Sequence, residues 1–125
     1  DAACRDMLPA LLYWLDAAAA NPRLGGVPRQ QIWMNYGQVC LETERYPHGL
    51  AWVRSVYRRS GLPVYRLMEA NFLMLMDDLD GAAALLADVS RLAQLTAEDR
   101  EHIAVLDEAI ARRRALKPPA DGAPG

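Results

Sequence analysis

The side chains best suited to catalysis or metal binding in this sequence are its two histidines, and they stand far apart. Neither His48 nor His102 has another metal-binding residue at ligand spacing, apart from ordinary helical glutamates before His102. The sequence also has no glycine-rich phosphate loop and no nucleophile elbow, and its periodicity places no pair of carboxylates facing inward. We therefore predict that the chain is not an enzyme and holds neither a metal ion nor a cofactor.

Cys4 and Cys40 permit one further reaction, the formation of a disulfide bond. If the first two helices form an antiparallel hairpin, the two cysteines lie at the same end of it, and a disulfide is geometrically possible. Such a bond would indicate a periplasmic or extracellular setting. Two reduced thiols, with Cys40 as a small core residue, are the interpretation that we favour. The compartment thus stays open between cytoplasm and periplasm.

Composition and charge limit the partners of the chain. Its net charge of -2 provides no overall attraction for nucleic acid, and no apolar run approaches the roughly 20 residues that span a bilayer. Hydrophobic residues make up 52% of the 125 residues, which is enough for a core, and the scarcity of phenylalanine favours helix over sheet. We predict one domain over residues 1–116 that neither binds nucleic acid nor inserts directly into a membrane.

Four arginines cluster around the turn between the third and fourth predicted helices: Arg54, Arg58, Arg59 and Arg66. Such a cluster is able to contact an acidic partner or a phosphate group. Glutamates before it in the sequence and aspartates at 77–80 supply acidic groups that could balance it. We therefore interpret the cluster as part of a solvated, internally balanced face.

Six helices are expected to position these side chains. The periodicity of apolar residues predicts helices over about residues 7–20, 28–44, 47–60, 63–76, 81–94 and 97–116. Asp6 is the expected N-cap of the first helix, and Thr96 with Asp99 resembles a capping box at the start of the sixth. Residues 117–125 contain three of the eight prolines and two glycines, which predicts a disordered tail.

A spacing between small residues recurs along the chain. Gly37 is followed by Gly49 after twelve positions, and the same spacing recurs thirty-three positions later, where Ala70 is followed by Ala82. Small residues at this separation allow the two helices of a hairpin to approach closely. Each pair is also followed by apolar residues four and seven positions later, so the second helix repeats its buried stripe. The pattern predicts a helical hairpin that is used more than once.

The repeating hairpin resembles the tetratricopeptide repeat, a 34-residue helix-turn-helix unit that stacks into a solenoid. The residues that carry the resemblance are Trp33, Gly37, Tyr46, Gly49, Val53 and Val56 in one repeat, and Ala70, Leu79, Ala82, Leu86 and Val89 in the next. Arg66 and Glu69 depart from the family pattern, which prefers a large aromatic and an apolar residue there. The resemblance to a divergent member of this family implies an all-α fold, an α-α superhelix of stacked antiparallel hairpins.

The resemblance also implies a protein-protein interaction module, such as a scaffold, an adaptor or a small chaperone. Members of this family mostly bind peptides or helices in a concave groove lined by the first helix of each hairpin. The corresponding partner-binding residues here are Met34, Asn35, Gln38, Leu67, Met68, Asn71 and Met74. Because methionine and leucine dominate this set, we expect an apolar peptide or an amphipathic helix as the guest. Packing in the core is the alternative for Leu67 and Met74.

Two further functions stay open at the level of sequence. The first is an accessory domain of a larger membrane or envelope enzyme, such as a glycan transferase or polymerase. The second is self-association through the fourth predicted helix, which is apolar on almost all sides over residues 63–76. Such a helix is either central in the stack or carries an exposed apolar groove.

Overall fold

The structure is a computed structural model that describes the backbone of residues 2–117 and the side chains of residues 9–117. Within this part of the chain there are six α-helices and no β-strand. The helices are α1 (Ala2–Ala19), α2 (Gly26–Glu42), α3 (Tyr46–Ser60), α4 (Pro63–Leu75), α5 (Leu79–Ser90) and α6 (Ala97–Leu116). The predicted all-α class and the number of helices are confirmed. The predicted disordered tail lies outside the described residues, except for the exposed Lys117.

Local signals account for most of the helix ends. The capping box at the start of α6 is confirmed, because the Asp99 amide donates to the Thr96 hydroxyl and the Thr96 amide donates to the Asp99 carboxylate, both at 3.0 Å. α5 begins two residues earlier than predicted, since the Asp78 side chain accepts a hydrogen bond from the Gly81 amide and caps the helix. Asp6 lies inside α1 and does not open it, so that predicted N-cap is wrong.

The turns that follow α2 and α4 have the same backbone geometry and stand at equivalent positions of the small-residue pattern. In each turn a residue other than glycine adopts a left-handed conformation: Glu44 with φ 57° and Asp77 with φ 66°. Two backbone hydrogen bonds in the register of a Schellman motif close each turn. They run from Glu44 N to Leu41 O and Arg45 N to Cys40 O in the first turn, and from Asp77 N to Met74 O and Asp78 N to Leu73 O in the second. The recurrence in the sequence therefore extends to the backbone.

The chain divides into two compact units, residues 1–49 and residues 50–125. In the first unit α1 packs against α2, and the short connection between them makes the two helices antiparallel. The buried side chains of this unit include Leu12, Ala19, Trp33, Tyr36 and Cys40. None of the helices in the described part of the chain combines the length and the apolar composition needed to cross a membrane.

In the second unit α4 packs against both α5 and α6, and α5 also packs against α6. Nine of the thirteen residues of α4 are buried, which explains its continuous apolar pattern. Ala70 on α4 and Ala82 on α5 are completely buried, as the small-residue spacing predicts for two closely packed helices. Of the two alternatives for the fourth helix, the structure supports the central position.

Candidate functional site

One exposed face of α2 combines apolar side chains with uncharged amide side chains. The residues recur at helical spacing and border a depression of about 520 Å³; we call this surface the outer face of α2, and it consists of Val27, Gln30, Gln31, Met34 and Asn35. Val27 is 71% exposed and Met34 is 42% exposed. Both are large apolar side chains that the rest of the first unit does not cover.

The amide groups of the outer face of α2 are available to a ligand. The side chains of Gln30, Gln31 and Asn35 are exposed, and they form no hydrogen bond with any residue that the structure describes. The predicted site residue Gln38 lies one turn further along and is also exposed, but its amide donates to the Glu42 carboxylate at 3.0 Å. Amides both donate and accept hydrogen bonds, as does the backbone of a peptide.

The other four predicted site residues lie on α4, in a different setting. Leu67, Met68 and Met74 are buried, and Asn71 is partly exposed. Uncovering one buried leucine or methionine costs roughly 1.5–3 kcal/mol. A role for these three side chains in partner binding stays a prediction, and it requires them to leave the core. Met34, Asn35 and Gln38 need no such rearrangement.

A tyrosine-histidine pair in the first unit was not predicted. The hydroxyl oxygen of Tyr36 lies 2.6 Å from Nε2 of His48, and the two rings stack with centroids 5.8 Å apart. The sequence pattern predicts an isolated His48, and the structure shows otherwise. The twelve-residue spacing between Gly37 and Gly49 could have predicted this pair, because Tyr36 and His48 immediately precede the two glycines.

Burial keeps the polar groups around this pair protonated. Burial raises the pKa of Tyr36 to about 12, with smaller contributions in the same direction from Cys40 and Asp16. Burial also raises the pKa of the Cys40 thiol to about 11, although the positive charge of Arg45 opposes this shift. Cys40 is a free thiol, and its protonated state makes it a poor nucleophile. Because Cys40 is a free thiol, the structure does not support the alternative of a disulfide bond between Cys4 and Cys40.

A cavity of about 380 Å³ opens beside the tyrosine-histidine pair, and we call it the α1–α2 pocket. It is lined by Pro9, Leu12, Tyr13, Asp16, Tyr36, Arg45 and His48. Three structural elements supply these residues: α1, the second half of α2 with the turn after it, and the first turn of α3. The pocket therefore brings a carboxylate, a guanidinium group and an imidazole together with two phenol rings.

The arginine cluster of the second unit is organised around one buried acid. Arg54 and Arg66 each donate to the carboxylate of Glu69 at 2.9 Å, and the Arg66 guanidinium also lies over the ring of Tyr57, 4.4 Å from its centroid. The ion pair between Arg66 and Glu69 accounts for the two departures from the repeat pattern, since each of these residues neutralises the charge of the other.

The aspartates at 77–80 do not balance the arginine cluster as we had interpreted. Asp77 pairs with Lys117 at 2.9 Å, and Asp80 pairs with Arg114 at 2.8 Å. These ion pairs join the turn after α4 and the first turn of α5 to the C-terminal end of α6. That part of the sequence interpretation is therefore wrong, because the aspartates have other partners.

Comparisons of this chain with known protein families, with curated proteins and with solved structures found no match. The class of the protein is therefore defined by its own fold, an all-α chain with helical hairpins. No group of three or more metal-ligating side chains is arranged to hold a metal ion in the part of the chain that the structure describes.

Proposed function

We propose that this chain is a tetratricopeptide-like interaction module that binds a segment of another polypeptide along the outer face of α2. In the cell such a module acts as a scaffold, an adaptor or a small chaperone. The proposed guest is an apolar peptide or one side of an amphipathic helix, because such a guest buries the exposed methionine and valine and offers polar groups to the amides.

The repeated turn supports the family part of the proposal. A Schellman motif with a left-handed residue occurs after both α2 and α4, and the helices that follow begin at Tyr46 and Leu79, which have the same separation as Gly37 and Ala70. A small-residue spacing and a turn geometry that both recur after 33 residues are consistent with a repeat of about 34 residues.

The composition and exposure of the outer face of α2 carry the functional part of the proposal. Val27 and Met34 are exposed beside three amide side chains that have no partner among the described residues, and the face contains no charged residue. A surface that served only to keep the protein in solution would be expected to carry charged side chains here. Methionine in addition adapts its shape to irregular apolar guests.

Peptide selection with matched variants tests this proposal. A library of random twelve-residue peptides is selected on the full chain, and the dissociation constants of the selected peptides are measured for the wild type, Met34→Glu and Met76→Glu. Met76 is the control, because it is 40% exposed and Met34 is 42% exposed, but Met76 follows α4. We expect Met34→Glu to weaken binding at least about tenfold, since it buries a charge against an apolar guest.

A second pair of substitutions tests whether the loss of binding is a property of the whole face and not of position 34 alone. Val27→Glu should weaken the same peptides, whereas Val105→Glu on α6, at a position that is 59% exposed, should leave them unchanged. If the selected peptides bind all four variants as tightly as the wild type, the outer face of α2 is not the binding surface and the proposal is wrong.

A further inference from the structure

The α1–α2 pocket has the form of a short groove along α1. Its lining residues on this helix extend from Pro9 to Asp16, a distance of roughly 10 Å at 1.5 Å per residue. Because α1 and α2 are antiparallel, the end of α2 lies beside the first half of α1. Arg45 follows the end of α2 and therefore lies toward the Pro9 end of the groove, while Asp16 lies at the other end.

The two charges of the pocket have no partners within the described residues. Neither the Asp16 carboxylate nor the Arg45 guanidinium forms a hydrogen bond or an ion pair there, and they do not pair with each other. Arg45 is also partly buried, so that its charge has lost part of its hydration without gaining an ion pair among the described residues. An unpaired charge at each end, opposite in sign, is complementary to a ligand with the reverse arrangement.

Aromatic rings and an imidazole line the groove between the two charges. The hydrogen bond between Tyr36 and His48 fixes both rings in place. Tyr13, which is 69% exposed, adds an aromatic surface. An aromatic wall and a fixed polar pair suit the backbone and a small side chain of a peptide, but they offer no site for a third charge.

We propose that the α1–α2 pocket binds a three-residue segment of a polypeptide that carries an acidic side chain at one end and a basic side chain at the other. The acidic side chain pairs with Arg45, and the basic side chain pairs with Asp16. About three residues of extended chain cover the groove at roughly 3.3 Å per residue. This inference rests on the proposed function only in taking a polypeptide as the ligand; the outer face of α2 contributes no residue to the pocket.

Titration of the full chain with capped tripeptides, followed by NMR at the ring signals of Tyr36 and His48, tests the inference. The probes are acetyl-Glu-Ala-Lys-amide, its reversed sequence acetyl-Lys-Ala-Glu-amide, and the uncharged acetyl-Gln-Ala-Gln-amide. We expect one of the two charged peptides to shift both ring signals with an affinity at least about tenfold above that of the uncharged peptide.

Two charge-removing variants and two controls identify the contacts. Asp16→Asn and Arg45→Gln should each weaken the charged peptide about tenfold. The controls Asp107→Asn and Arg100→Gln change exposed residues of α6 and should have no effect. If the controls and the pocket variants bind alike, or if no charged peptide shifts the two ring signals at about 10 mM, the inference is overturned.

The two proposals fail separately in these experiments. Met34→Glu should weaken binding of the library-selected peptides and leave the tripeptide titration unchanged, because Met34 does not line the pocket. Loss of tripeptide binding in Met34→Glu would count against a separate pocket, whereas equal binding of library peptides by Met34→Glu would count only against the outer face of α2.

Discussion

The hydroxyl of Tyr36 and the imidazole of His48 lie 2.6 Å apart although twelve residues separate them in the sequence. At the scale of single residues, this contact was predictable from the spacing that joins Gly37 to Gly49, had it been applied to the neighbouring positions. The pairing of Arg66 with the buried Glu69 was harder to predict from the sequence. A carboxylate at a core position is recognisable as paired only when its partners are known, and one of the two partners, Arg54, is fifteen residues away.

Alkaline pH should weaken the fold through its buried tyrosines. Burial raises the pKa of both Tyr36 and Tyr65 from 10.0 to about 12. A phenol is neutral when protonated, and its pKa is lower in the unfolded chain, so the unfolded chain ionises first as the pH rises. The stabilising effect of burial is therefore complete below pH 10 and is lost as the pH rises from about 10 to about 12. Each tyrosine should account for on the order of 2–3 kcal/mol of unfolding free energy over that range.

Urea unfolding between pH 9 and pH 11.5 measures this loss. Tyr65→Phe and Tyr36→Phe should each make the fall of the unfolding free energy with pH less steep. Tyr13→Phe is the control, because Tyr13 is exposed and should not alter the profile. Cys40 adds a loss of the same sign between about pH 9 and 11, and all three variants retain it. Parallel profiles for wild type, Tyr65→Phe and Tyr36→Phe would contradict the assignment.

At the scale of helices and turns, the sequence predicted those boundaries that a local signal marks. Pro63 marked the start of α4, and the Thr96 capping box marked that of α6. The first helix begins earlier than predicted, at Ala2, because no proline or glycine interrupts it before residue 7. The left-handed residues after α2 and α4 were not recognised, because they are Glu44 and Asp77, and the usual sign of such a position is glycine.

Glycine should therefore stabilise the protein at position 44. Glu44→Gly relieves the steric cost of a positive φ angle, and we expect a gain of about 0.5–1 kcal/mol in unfolding free energy, measured by urea denaturation. Asp77→Gly should give a similar gain, reduced by the loss of its exposed ion pair with Lys117. The control is Glu42→Gly, in the last turn of α2, where glycine should instead cost up to about 1 kcal/mol. Losses of stability at both 42 and 44 would contradict the repeated turn.

At the scale of the whole molecule, the sequence predicted the helical class but did not separate core from surface within the predicted site. Positions 33 residues apart share an apolar character, yet Met34 is exposed on α2, whereas Leu67 is completely buried on α4. The difference depends on which helices cover each face, and α4 is covered by both α5 and α6. Helical periodicity specifies which side chains share a face, but it does not specify what covers that face.

The most direct test of the account is to map a library-selected peptide onto the chain by NMR. Backbone amide shifts are recorded for the isotope-labelled full chain with and without the peptide. We expect the largest changes to fall on α2, centred on Val27, Gln31, Met34 and Asn35. Changes centred on α6, or on the exposed Trp14 face of α1, with the signals of these four residues unmoved, would contradict it.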